Sequence, residues 1–317
     1  MKIFITGIAG FIGFHLALFL KERGIFVMGC DNFNSYYDPA LKRKRVSLLE
    51  DIEVIDADIN QFPEHLLDKY QITHIIHLAA QAGVRYSITH PEKYVDSNLT
   101  GFTHILEICR KHPQIKLIYA SSSSVYGLNK KIPFSETDPT DHPASFYGAT
   151  KKCNEILAHS YHHLYGISCT GLRFFTVYGP WGRPDMAYFS FTKAILEGKS
   201  ISVYGNGELK RDFTYIDDII RGINGAIELS PPWEIINLGN NKPQTVNDLI
   251  SIIERETGKK AIVEYLPKPP GDVDTTYADI SKAQNLLNFS PSTSLEEGIS
   301  QFIQWYSRNY LELPPHH

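Results

Sequence analysis

The chain has no apolar run near the roughly 20 residues that a membrane-spanning helix needs, which excludes a helical membrane protein as the reading of its 317 residues. Cysteine is scarce: Cys30, Cys109, Cys153 and Cys169 show neither paired nor metal-ligand spacing. That excludes a disulfide framework and a zinc module, and predicts reduced thiols in a cytoplasmic protein. Strong charge of one sign is missing too. A net charge of −4 gives no footprint for nucleic acid or an anionic surface. Internal repeats, low-complexity tracts and coiled-coil heptads are absent. The opening MKIFITGIAGFIGFHLALFL has a glycine-interrupted apolar stretch, so it reads as strand, turn and helix, not as a signal peptide. The closing Pro314-Pro315-His316-His317 reads as a tail without functional content.

What remains is an ordinary globular composition, 43% hydrophobic and 21% charged. KIFITG, IFVMGCD, DIEVIDADI, HIIHLAA, IKLIYASSS and SCTGLRFF are apolar runs of strand length, separated by amphipathic stretches such as ATKKCNEILAHSYHHLYG. Strands alternating with helices predict an α/β fold, a Rossmann-type doubly wound parallel sheet. After about Thr176 the texture turns rich in Pro, Gly and aromatics. The expected division is a dinucleotide-binding domain over 1–175, rejoined by about 212–239, and a smaller interleaved substrate domain over 176–211 and 240–317.

Gly7, Gly10 and Gly13 form GxxGxxG after the first strand and at the start of a helix. Glycines there permit a tight turn and let backbone amides approach a pyrophosphate, while the helix N-terminus favours its charge. Phe11 and Ile12 expose those amides. Asp31 ends the second strand, where a carboxylate accepts ribose hydroxyls of NAD and repels the extra phosphate of NADP. The run Lys42-Arg43-Lys44-Arg45 reads as a solvated helix face. Asp58 and Ile59, after the third strand, are expected at the adenine, and Asn98 is expected either to hold backbone near the cofactor or to cap a helix.

Tyr147 and Lys151 in SFYGATKK follow the serine run Ser121 to Ser124. Positions i and i+4 share a helix face, which predicts the Lys151 ammonium beside the Tyr147 phenol. Lowering a tyrosine from about 10 to about 7 needs about 4 kcal/mol. One cation at roughly 5–6 Å, with an effective dielectric near 20, supplies about 3 kcal/mol. The pair alone fits a plain surface helix; beside a dinucleotide loop it reads as a hydride-transfer site. His159 and His163 have i, i+4 spacing, but Ser160 stands where HExxH needs Glu, so they read as helix surface or dimer face.

GIAGFIG, DNFNSYYDPALKRKR, HLAAQAGVRYSI, ASSSSVYG, PFSE, YGATKK, LRFFTVYGPWGRPDMA and RDFTYIDDI together resemble the extended short-chain dehydrogenases/reductases, and more narrowly the UDP-glucuronate 4-epimerase family. The resemblance covers most of residues 1–225, with NLGN and YADISKA extending it. It implies tightly held NAD, a UDP-sugar substrate, a homodimer through a four-helix bundle, and reversible inversion at C4 of UDP-glucuronate. It places catalysis on Ser122, Tyr147 and Lys151, with Tyr147 as base, Ser122 relaying the proton, and Lys151 holding the nicotinamide ribose. Asn32, Leu78, Ala79 and Ala80 join the implied cofactor contacts.

Related dehydratases and decarboxylases carry an acid just after the Ser/Thr position; Ser123 and Ser124 stand here instead. Ser123, Ser124 and Thr176 are the residues expected to grip the sugar carboxylate, although Ser124 fits a polar loop equally well. Arg183 in GPWGRPD is expected to take it bidentately. Arg211 is assigned to the UDP phosphates, Val203 and Tyr204 to uracil, and Met186, Ala187 and Phe189 to the nucleotide pocket. Asp272 belongs to the late Gly-Asp pair. The arginine that neutral-sugar relatives place before that pair is replaced by Pro269, leaving Lys268 as the nearest cation. Three alternatives stay open: a 4-epimerase of neutral UDP-hexoses, a UDP-glucuronate decarboxylase, and a non-catalytic dinucleotide-binding protein of the same fold.

Overall fold

The computed structural model of the chain describes residues 1–61, 64–268 and 273–310. Seven parallel strands form the central sheet: β1 (Lys2–Thr6), β2 (Phe26–Asp31), β3 (Glu53–Asp56), β4 (His74–His77), β5 (Lys116–Ser122), β6 (Cys169–Phe174) and β7 (Trp233–Leu238). Their order is β7-β6-β5-β4-β1-β2-β3, so the chain reverses direction across the sheet between β1 and β4. Alternate residues of β1 feed two cores: Ile3 and Ile5 join one apolar cluster and Phe4 the other. That is the period-2 pattern of a strand buried on both faces.

The helices that frame the sheet and the site are α1 (Phe11–Glu22), α2 (Pro39–Ser47), α3 (Gly101–Lys111), α4 (Phe146–Tyr165), α5 (Ala187–Glu197) and α6 (Ile216–Leu229), of which α5 packs outside the sheet against the strand Ser200–Tyr204. α1 packs against α6, and α3 against α4. Ser145 caps α4 by accepting from the Gly148 amide at 3.0 Å, and Gly166 ends it with φ +69°. Gly148, Lys151, Asn154, Glu155 and Ala158 form its buried face, at the i, i+3, i+4 spacing of an amphipathic helix.

Among the described residues the late chain returns to the sheet only through β7. Phe213–Tyr215 pairs instead with Thr176–Tyr178 outside it, and Ser200–Tyr204 pairs with Ile262–Leu266. Among the described residues no helix is long and apolar enough to cross a membrane. The terminal Pro314 to His317 lies outside the described residues.

Candidate active site

A cleft of about 1360 Å³, counting its open mouth, lies over the C-terminal ends of β1, β2, β4 and β5. This is the crevice that the strand order predicts for a ligand. Its floor is the turn from β1 to α1. Gly7 has φ +73°, and a Cβ on Gly13 would sit 2.3 Å from the Gly7 carbonyl oxygen. No larger residue fits that turn. Gly10 caps α1 without a side-chain acceptor, and the first turn carries no acid. The amides at this helix start therefore suit an external anion.

Phe11, Ile12, Asp31, Asn32, Asp58, Ile59, Leu78, Ala79 and Ala80 line the same cleft. Asn32 donates to Asp58 at 2.8 Å, joining the ends of β2 and β3. Ala79 N–H donates to Thr6 Oγ1 at 3.2 Å, which holds the chain after β4 against the glycine turn. This donor and acceptor set fits a dinucleotide: amides for the pyrophosphate and a carboxylate at the end of β2 for a ribose. Asn98 acts differently from a lining residue. It is buried, accepts from Gln81 N–H at 2.8 Å and donates to the Gln81 carbonyl and to Thr150. It thus clamps the loop after β4 to α4.

Ser122 ends β5 and Tyr147 opens α4, and both line the cleft, where the Ser122 hydroxyl accepts from the Ser124 amide at 3.1 Å. Burial pushes the Tyr147 phenol above its ordinary value; the Arg183 guanidinium and the Ser122 hydroxyl pull it back. The expected cation is corrected here. Lys151 lies on the same helix face, but its long side chain reaches β5 and donates to the Ala120 carbonyl at 2.9 Å. Burial lowers the Lys151 ammonium to about 8. Spacing on a helix fixes where a side chain starts, not where its charge ends.

Arg183 lines the cleft, yet its fork is already engaged. Nε and Nη2 donate to Asp185 at 3.0 and 2.5 Å, and Tyr36 donates to the same carboxylate at 3.0 Å. Ser122 and Met186 also line the cleft. Ser123, Ser124 and Thr176 are half-buried beside it.

Two assigned contacts are core residues. Phe189 is fully buried against Phe302, Trp305, Tyr306 and Tyr310, and Val203 is buried in the strand 200–204. Strand and helix patterns gave their positions but not which face they present. Tyr204 lies under the Arg85 guanidinium, 4.5 Å from its ring centre, and Arg211 donates to the carbonyls of Lys210 and Val273. Lys268 is paired with Asp274. Asp272, like Pro269, lies outside the described residues.

The basic run on α2 is also corrected. Only Arg43 and Lys44 face solvent. Lys42 is buried 3.4 Å from Asp31. Arg45 is fully buried and donates to the carbonyls of Ala9, Trp181 and Gly182 and to the Tyr37 hydroxyl, at 2.6–3.1 Å. One guanidinium so ties the glycine turn to the loop carrying Arg183. Trp181, with φ +59°, is braced by Phe14 and Trp305. Sequence inspection missed Tyr36; its one signal was an aromatic pair in the loop after Asp31.

The GDP-mannose 4,6 dehydratase family profile matches residues 4–302. UDP-glucuronate 4-epimerase 1 of Arabidopsis thaliana is 49% identical, covering 98% of this chain and 77% of its own length. The crystal structure of UDP-glucuronic acid 4-epimerase from Bacillus cereus with UDP-glucuronic acid and NAD matches with a TM-score of 0.91 and 39% identity, over 97% of this chain and 99% of that one. A tyrosine-to-phenylalanine mutant of that enzyme, with a 4-deoxy-4-fluoro analogue and NAD, matches with a TM-score of 0.91 and 38% identity over the same shares.

Proposed function

We infer the function from a family to which the chain belongs, the UDP-glucuronate 4-epimerases of the extended short-chain dehydrogenases/reductases, within the reach of the GDP-mannose 4,6 dehydratase profile. The protein is an NAD-dependent isomerase that interconverts UDP-glucuronate and UDP-galacturonate. Bound NAD supplies a reversible oxidation, so that C4 passes through a ketone and the cofactor ends each cycle as it began.

The roles of individual residues are part of this proposal. Gly7, Gly10 and Gly13 would hold the pyrophosphate, Asp31 a ribose, and Lys151 the second ribose. Tyr147 takes the proton of the C4 hydroxyl, and Ser122 orders that oxygen and shares the proton. Arg183 serves twice in this reading, biasing the Tyr147 phenol towards ionisation and meeting the sugar carboxylate, with Ser123, Ser124 and Thr176 as neutral donors. The observation that carries the assignment is that Ser122 and Tyr147 line one cleft whose floor is an anion-accepting glycine turn. Ser123 and Ser124, where decarboxylating relatives carry an acid, favour retention of the carboxylate.

The domain division at 1–175 and 212–239, the cytoplasmic setting and the homodimer belong to the same proposal. Cys153, Ile156, Ser160 and Leu164 leave an exposed stripe along α4, with Ile156 57% and Leu164 63% exposed. Such a stripe suits a four-helix bundle made by α3 and α4 of two copies.

Incubation of the NAD-loaded protein with UDP-glucuronate, followed by NMR, should yield UDP-galacturonate. A UDP-pentose or unchanged substrate overturns the reading. Tyr147→Phe should lower kcat about 10²–10⁴-fold, the usual share of a general base.

A further inference from the structure

Three loops meet at the Tyr36 and Arg183 side of the cleft. Tyr36 comes from the loop after β2, Gly83 from the loop after β4, and Arg183 with Asp185 from the loop after Thr176–Tyr178. Gly83 has φ +100°, and a Cβ there would fall 2.2 Å from the Tyr36 hydroxyl. The loop after β4 is thus shaped to admit that ring. Tyr36 in turn donates to Asp185, and Asp185 occupies both Nε and Nη2 of Arg183. The Arg183 guanidinium also lies 5.9 Å from the centre of the Tyr36 ring. The Arg183–Asp185 pair is only partly buried, 24% and 29% exposed, and Arg183 lines the cleft.

A sugar carboxylate that approaches Arg183 therefore meets a guanidinium already forked by a carboxylate of the same loop. One cation between two anions leaves a negative charge uncompensated, so the second anion binds at a cost that a neutral sugar does not meet. We propose that Asp185 is a specificity-determining residue, a resident competitor that sets how tightly Arg183 holds an acidic sugar, with Tyr36 fixing the competitor in place. This rests on the assignment of UDP-glucuronate to the cleft and adds a residue to it. Asp185 acts through Arg183 and touches no reacting atom, so its mark is on binding of the carboxylate and not on the chemistry at C4.

The test is calorimetric titration of the NAD-loaded enzyme with UDP-glucuronate and, separately, with UDP-glucose, in wild type, Asp185→Asn and Tyr36→Phe. Asp185→Asn should lower the Kd for UDP-glucuronate about tenfold, the worth of one charge-assisted contact no longer shared. The Kd for UDP-glucose should stay within about twofold. Tyr36→Phe keeps both ions and should move the UDP-glucuronate Kd in the same direction by a smaller factor, which carries the test if Asp185→Asn fails to fold. A raised Kd for UDP-glucuronate, or equal shifts for both ligands, overturns the proposal and leaves Asp185 as a brace. Wild-type protein that neither binds nor converts UDP-glucuronate would sink the functional assignment instead, whatever the variants do.

Discussion

Arg173 and Arg183 are both forked by a carboxylate, and their surroundings differ in every other respect. Arg173 holds Glu155 through two bonds of 2.8 Å, with both side chains 4% exposed. Its third donor goes to Tyr126, whose hydroxyl continues to Asn237, while Ser121 donates to Glu155. Every group in that network has a partner, and the network joins β5, β6, β7 and α4 directly beneath Ser122. Arg183 and Asp185 are two residues apart and partly exposed, 24% and 29%, with Arg183 in the lining of the cleft. The same chemistry makes a closed frame at Arg173 and leaves an accessible ion pair at Arg183.

The largest expected effect tests the closed side. Glu155→Ala leaves a buried guanidinium without its counter-charge and should cost about 3–5 kcal/mol. Thermal unfolding should show it as a large drop in Tm. Asp185→Asn breaks a partly exposed pair and should cost under about 1 kcal/mol. If the two losses were equal, the contrast between frame and site would collapse.

A second expectation concerns acid. His77 ends β4 under the cleft, bonded to Thr6 at 2.8 Å, and burial lowers its pKa from 6.5 to about 3. His15, bonded to the Pro180 carbonyl, is lowered to about 4, burial again being the main cause. A histidine whose folded pKa is depressed contributes stability that is present above 6.5 and is lost as pH falls towards the folded value. His77 should therefore cost on the order of 1 kcal/mol between about pH 7 and pH 5.5. Denaturant titrations of wild type and His77→Asn at both pH values would measure it, and equal pH slopes would refute it. The Arg173 network holds no histidine, so Arg173 should not share this loss.

The same contrast explains what was legible in the sequence. The placement of the glycine turn, Asp31, Ser122 and Tyr147 around one cleft is announced by short-range patterns, because each sits at a strand end or a helix start. The parallel sheet was legible for the same reason, through apolar runs of strand length. Arg45 was read as solvated because its acceptors at Trp181 and Gly182 lie 136 and 137 residues away. Phe189 and Val203 were placed in the nucleotide pocket because a motif gives neighbourhood and not facing. Lys151 was given the field at Tyr147 that Arg183 supplies, since local spacing cannot reveal a cation contributed by another loop.

The smallest expected effect is a flat line. Burial alone would raise the Asp185 carboxyl, but the Arg183 guanidinium and the Tyr36 hydroxyl outweigh it and hold its pKa below 3.8. A depressed carboxylate stays ionised above its ordinary range, so the competitor on Arg183 is fully charged throughout neutral and mildly acidic solution. The ratio of Kd values for UDP-glucuronate and UDP-glucose should then vary by less than about twofold between about pH 5 and pH 7. Above that window the Lys151 ammonium, lowered to about 8 by burial, begins to lose its proton. It does not pair with Asp185, so its titration should move both ligands together. A bend in the ratio near pH 6 would instead place a titrating group of ordinary histidine character against the Arg183 fork, and the open side of the comparison would need a third member.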